Sequence, residues 1–501
     1  MSLKERRALN TQRKKLTLVI VSLLVVVLSV SLAYFTTQII GKGKTVDVSS
    51  ANLQIVFTDS DGAISGSNIE PGWNTTKTFT VENNSKSEYK YNIVIKDLLN
   101  TFVTNGYLQY KITSTNDGYN MTEFKDIPKS SAPKNTILAY SVSIPVGVTQ
   151  NYTIEFKYAN DESVDQSDDM GKKLSGTLFI TEGTEQPTLL SQLLADKSTV
   201  LTRTDFSTVL TNDNTNTLYT STEDSKTVYY FAGNATDNWV KFGKNASNQD
   251  LYWRIIRTNS DRSVRLLYHG TSTTATDAYI GESKFNSSYN DIAYVSYMYG
   301  NLGSVANARE NTTNSTIKTT IDNWYTSNLE AKGYTKYLSR TAVYCNDRST
   351  SNNSEFGAYT RLVTNKTPSY DCATTEDKFT VDSSTGNGKL TYPIALMTAD
   401  EVSFAGGLYG TNAPTWYYYN SANGNSIDST FWWLLSPHSW TDSAPGVFGV
   451  IGSSHPGYLD YSIVGTGGVR PAISLKSCIK YSTGDGSANA PYTIKETETG
   501  C

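Results

Sequence analysis

Apolar and polar positions fall into three regimes along the chain. Residues 16–35, LTLVIVSLLVVVLSVSLAYF, hold no charge, and the uncharged run continues to Gly41. As a helix rising about 1.5 Å per residue, this run spans the ~30 Å hydrocarbon core of a bilayer. Residues 51–182 then alternate with period two. Leu53, Ile55 and Phe57 share one face, Phe79 and Val81 another, and Tyr89, Tyr91, Ile93 and Ile95 a third, with Gly, Asn and Asp turns between the runs. Short alternating runs of this kind predict an antiparallel β-sandwich. Beyond the junction GTEQPT the pattern is mixed. TLLSQLLADKS places Leu189, Leu190, Leu193 and Leu194 at helical spacing. LYWRIIRTNSDRSVRLLYHG reads as a hairpin turning at Asn259-Ser260-Asp261. IDNWYTSNLEAKG puts Ile321, Trp324, Tyr325 and Leu329 on one helical face, with Gly333 as its stop.

The expected fold class is an N-terminal transmembrane helix plus an all-β sandwich and a larger β-rich α+β head. The expected layout is a cytoplasmic basic segment (1–15), a transmembrane helix or signal anchor (16–40), a linker (41–50), the sandwich (51–182), a second linker (183–190), the head (191–480) and a C-terminal tail (481–501).

Charge orients this layout. Lys4, Arg6, Arg7, Arg13, Lys14 and Lys15 precede the apolar run, and nothing comparable follows it. The positive-inside rule keeps the N-terminus in the cytoplasm and sends the remainder outside, with the bilayer as partner of residues 16–40. Ser31-Leu32-Ala33 is a small-x-small triplet of the kind signal peptidases cut, so a removed signal stands beside a retained anchor. The first fifteen residues hold six positive charges and one negative, so the rest of a chain totalling −4 carries −9. A mildly acidic exterior excludes nucleic acid as the expected partner, because phosphate binding needs clustered Lys and Arg.

Composition adds an extracellular β signature. There are 34 tyrosines, and charged residues are 18 %, against a usual ~25 %. The aromatics recur along the whole chain, which disordered segments lack. Cys345, Cys372, Cys478 and Cys501 all lie on the exported side, where disulfides persist. Four cysteines allow three pairings. The local one, Cys345–Cys372 with Cys478–Cys501, is favoured, and four separate thiols are the alternative.

Motifs for catalysis are scarce. Histidine occurs only at 269, 438 and 455, and H-E-x-x-H, a P-loop and G-x-S-x-G are absent. No C-x-x-C pair offers a zinc site, and for calcium the candidate oxygen clusters are Asp59-Ser60-Asp61-Gly62, Asp168-Asp169 and Asp400-Glu401, each of which also reads as a turn or solvated edge. The aromatic surplus points to recognition. Trp416, Tyr417, Tyr418, Tyr419, Trp432, His438 and Trp440 lie among Gly, Asn and Ser, the composition of adaptable binding surfaces. Core packing is the competing reading of the same residues.

Two resemblances follow from longer strings. The span ending in AYFT, with KTFTVENNSKSEYKYNIVI and MGKKLSGTLFI, resembles a sandwich of Gram-positive surface proteins and is loosely similar to camelysin-like subunits of biofilm fibres. The strings YYFAG, YWRIIR, YCNDRS, YPIALMTADEVSFAGG, WWLLSP and GVRPAISLK resemble a domain of uncharacterised function in surface proteins of Gram-positive bacteria and their wall-less relatives. That domain is similar to formylglycine-generating enzymes and the C-type-lectin-like fold. No cysteine lies between Cys372 and Cys478, where those enzymes need theirs, so no catalytic residue carries over. The resemblances imply a non-catalytic adhesion head for glycan or protein on a sandwich stalk at the bacterial cell membrane. A signal-cleaved fibre subunit is the first alternative and a divergent formylglycine-generating-like enzyme the second.

Overall fold

The structure is a computed structural model. It describes residues 45–50, 53–59, 63–65, 69–275, 278–350, 354–417, 431–441, 444–452, 455, 457–462 and 465–501. The apolar span at 16–35, residues 60–62 of the DSDG cluster, and Tyr418 and Tyr419 lie outside them. Among the described residues no helix is long and apolar enough to cross a membrane. The chain divides into two compact units, Met1–Glu185 and Gln186–Cys501, at the junction read from Pro187.

The first unit is two antiparallel sheets around one core. Its strands are β1 (Thr45–Ser50), β2 (Leu53–Asp59), β3 (Ala63–Ser65), β4 (Asn74–Asn83), β5 (Tyr89–Asn100), β6 (Leu108–Ser114), β7 (Lys125–Asp126), β8 (Ser130–Ile144), β9 (Thr149–Tyr158) and β10 (Leu174–Glu182). One sheet runs β1-β2-β4-β9-β6-β7 and the other β3-β10-β5-β8. The alternation does its work on β9, where Tyr152, Ile154, Phe156 and Tyr158 are buried and the residues between them are not. Strand β5 departs from it. Asn92 and Val94 are buried as fully as Ile93 and Ile95. The Asn92 amide is satisfied there by the Glu182 carbonyl at 2.9 Å and the Thr184 hydroxyl at 3.0 Å, as a buried polar group requires.

The second unit is β-rich with short helices. The expected hairpin forms: Asp250–Thr258 pairs antiparallel with Val264–Gly270. Pro471–Leu475, from GVRPAISL, pairs with the hairpin's second strand, and Ile394–Leu396 pairs with Pro471–Leu475 in turn. The helix Leu189–Asp196 begins where Thr188 Oγ1 accepts the Ser191 N–H at 3.1 Å, so residues 188–190 belong to the helix and not to a linker. The helix Thr316–Tyr325 continues as a wider turn over Thr326–Glu330 and stops at Gly333, whose φ of 76° suits glycine. Residues 481–501 are no tail. Tyr492–Ile494 adds to Trp239–Lys244 in the main sheet, Tyr481–Thr483 adds to Tyr492–Ile494, and the last residue is bonded to Cys478. The two disulfides are Cys345–Cys372 and Cys478–Cys501, the local pairing.

Candidate functional site

A second sheet in this unit carries an open cleft. It runs Glu282–Ser283, Gly467–Gly468, Phe431–Thr441, Ala444–Ile451, Leu459–Ser462. The segment KFNSSYN (284–290) leaves its edge strand and folds over one end. Three contacts fix that path. Trp433 Nε1 donates to the Ser283 carbonyl at 2.8 Å. Phe285 packs edge-on against Trp433, 5.5 Å between centroids. The buried Asn286 amide donates to the carbonyls of Tyr294 at 3.0 Å and Ser296 at 3.2 Å. Asp291 then caps the next turn, accepting from Ala293 N–H at 2.8 Å and Gly303 N–H at 2.9 Å. Glycine is needed at 467, because a Cβ there would stand 2.5 Å from the Phe431 ring and 2.9 Å from Trp433 Nε1.

The result is an open cleft of about 490 Å³ with Trp433 in its floor and Tyr289, Tyr294, Ser288, Ser462 and Lys284 along its walls. Tyr289 is 51 % exposed, while Tyr294 is braced by Tyr299 at 5.6 Å. Among its described lining residues there is no carboxylate, imidazole or thiol. Such a surface offers flat rings, hydroxyls, an amide and an ammonium.

The residues singled out by composition lie elsewhere. Trp416, Tyr417, Trp432 and His438 are all buried, and Trp440 packs half-buried on Phe356 at 4.6 Å. Tyr417 donates its hydroxyl to the Phe231 carbonyl at 3.0 Å. Trp432 faces the Arg470 guanidinium at 4.8 Å. His438 sits in a ring cluster of Tyr359, Tyr409, Phe448 and Tyr461, and burial pushes its pKa down to about 3. His455 is exposed. The missed segment, KFNSSYN, has the same Tyr, Asn and Ser make-up, and that was its readable signal.

The buried charges form a structural centre. Helix Ala399–Ala405 opens with a capping box between Thr398 and Glu401. Glu401 Oε1 accepts from Arg257 Nε at 2.9 Å and Arg265 Nη1 at 2.6 Å. Burial opposes its ionisation, yet Arg265 and Arg257 together hold its carboxyl below the ordinary range. Asp400 takes both Nε and Nη2 of Arg361 at 3.0 Å. The Asp400-Glu401 pair considered for calcium is therefore engaged by arginines. Asp169 is engaged too, by the Tyr158 hydroxyl at 2.8 Å and the Thr104 N–H at 3.2 Å. Among the described residues no group of three or more His, Cys, Asp or Glu side chains is placed to hold a metal ion. No protein-family model matches the chain, and no curated protein or solved structure matches it.

Proposed function

We propose that the chain is a membrane-anchored bacterial surface protein whose second unit binds an extracellular glycan, without catalysis, at the cleft of Tyr289 and Tyr294. One observation carries the binding reading: Tyr289 and Tyr294 line a cleft together with Trp433, the hydroxyls of Ser287, Ser288 and Ser462, the Asn286 amide and the Lys284 ammonium. Tyrosine faces stack on the apolar faces of sugars, and hydroxyls exchange hydrogen bonds with theirs. The anchor and its orientation rest on the basic flank and the uncharged run at 16–35. A C-type-lectin-like scaffold is the fold that suits this reading, since the cleft is built by loops on a β-rich frame. Full-length chain in detergent, applied to a glycan array, tests it. Binding that is lost in Tyr289→Ala supports the cleft. Absence of binding to every carbohydrate, together with capture by a purified matrix protein, would move the function to protein recognition.

A further inference from the structure

A second feature concerns Lys197, the residue that ends helix Leu189–Asp196. Its ammonium lies 2.5 Å from Asp237 Oδ2 and 2.8 Å from the Asp237 carbonyl oxygen. The two side chains are 1 % and 7 % exposed. Phe231 and Tyr492 wall the ammonium, with ring centroids at 5.4 Å and 5.8 Å. The aspartate is used unevenly. Oδ2 also accepts the Asn216 N–H at 2.7 Å, whereas Oδ1 is buried with no hydrogen-bond partner. A buried carboxylate oxygen left unmatched is costly, and so is a dry ion pair as a whole.

We propose that Lys197 and Asp237 condense into an intramolecular isopeptide bond. In the step, one ammonium proton passes to Oδ1, leaving a neutral amine and a neutral carboxyl. Nζ then attacks Cγ, and a Nζ–Cγ bond forms. A second proton passes from nitrogen to the Oδ1 hydroxyl, the Cγ–Oδ1 bond breaks, and water leaves. The two protons lost by nitrogen are the two that depart with Oδ1, so atoms and charge balance and no oxidant or co-reactant is needed. The unmatched oxygen is the one expelled, and Oδ2 remains as an amide carbonyl that keeps the Asn216 N–H. Held in contact and away from water, the two groups act at an effective molarity that oriented intramolecular reactions raise to about 10⁵–10⁸ M. The desolvated charges disappear in the product. The bond would join positions 40 residues apart and resist the thiol reductants that open both disulfides.

The test is mass spectrometry on the full chain after reduction of its disulfides. The expected result is a mass lower than the sequence by one water, and a branched tryptic peptide joining residues 174–203 to residues 227–241. The branched peptide is expected to vanish in Lys197→Arg. Recovery of residues 174–197 and 227–241 only as separate linear peptides from the wild-type chain overturns the proposal. So does a branched peptide that persists in Lys197→Arg. The wild-type digest decides the matter even where the variant fails to fold.

Discussion

The His438 imidazole lies face to face with the Tyr461 ring, 3.9 Å between centroids and 10° from parallel. Tyr409 lies on it more loosely, at 5.5 Å and 27°, and Tyr359 and Phe448 stand edge-on. Its Nδ1 meets Ser439 Oγ at 2.7 Å, and Nε2 has no partner. This imidazole is therefore held neutral, by burial among rings.

Folding stability is expected to fall in acid because of it. The folded-state pKa is pushed down to about 3, below the ordinary 6.5. Between those values the unfolded chain binds the proton and the folded chain does not. Stability is thus fully present above about pH 6.5 and is lost as pH falls toward 3, with a slope that approaches about 1.4 kcal/mol per pH unit. His269, buried against Trp239 and near Arg254 and Arg470, is shifted the same way, first by burial, and adds to the slope. Urea titrations from pH 4 to 8 measure it. His438→Phe is expected to flatten the curve, and an unchanged slope would show that His438 is protonated in the fold.

Glu401→Gln is expected to destabilise the second unit by about 3–5 kcal/mol, because Arg265 then loses its carboxylate in a dry site. The amide can still accept the Thr398 N–H, now made to Glu401 Oε2 at 2.9 Å, so the helix cap is spared and the loss reports the charge. The urea midpoint at neutral pH is the readout. A change under 1 kcal/mol would mean that Glu223, at 2.8 Å from Arg257, is able to take over the pair.

Cys345 and Cys372 are 27 residues apart, and their bond is expected to contribute about 3–4 kcal/mol on the chain-entropy account. The double variant Cys345→Ser/Cys372→Ser is expected to lose that amount in thermal or urea unfolding. Cys478–Cys501 spans 23 residues and ties down the end of the chain. Its removal is expected to raise proteolysis at residues 495–501 before it lowers the global midpoint, as limited digestion of Cys478→Ser/Cys501→Ser would show.

What was legible in the sequence was what is local. The helix at Leu189 announces itself by its leucine spacing and Thr188, and the hairpin at Asn259 by two apolar runs about a turn. The last strands were not legible. Tyr492 pairs with Val240, a partner some 250 residues away, and YST and YTI are too short to show a period. Glu401 reads in the sequence beside Asp400 as a calcium candidate or a solvated edge, since only the fold shows that Arg257 and Arg265 answer it. FWWLLSPHSW reads as either a binding surface or core packing, for the opposite reason, and the core reading holds for Trp432, Trp433 and His438. An aromatic-rich strand buried on both faces has the same composition as an exposed aromatic platform.

That ambiguity is resolved by a pair of substitutions. Tyr289 is 51 % exposed and touches the cleft, so Tyr289→Ala is expected to leave the thermal midpoint within about a degree. Glycan affinity should fall about threefold to tenfold, the worth of one stacked ring. Trp432 is 1 % exposed and backs onto Arg470, so Trp432→Ala is expected to cost about 3–5 kcal/mol through the cavity it leaves. Any binding lost in Trp432→Ala should then follow the unfolded fraction and return on cooling. Calorimetry and titration on the same two variants separate the cases. If Trp432→Ala abolishes binding while the fold stays intact and Tyr289→Ala leaves it unchanged, the ligand reads Trp432 and the cleft at Tyr289 is not the site.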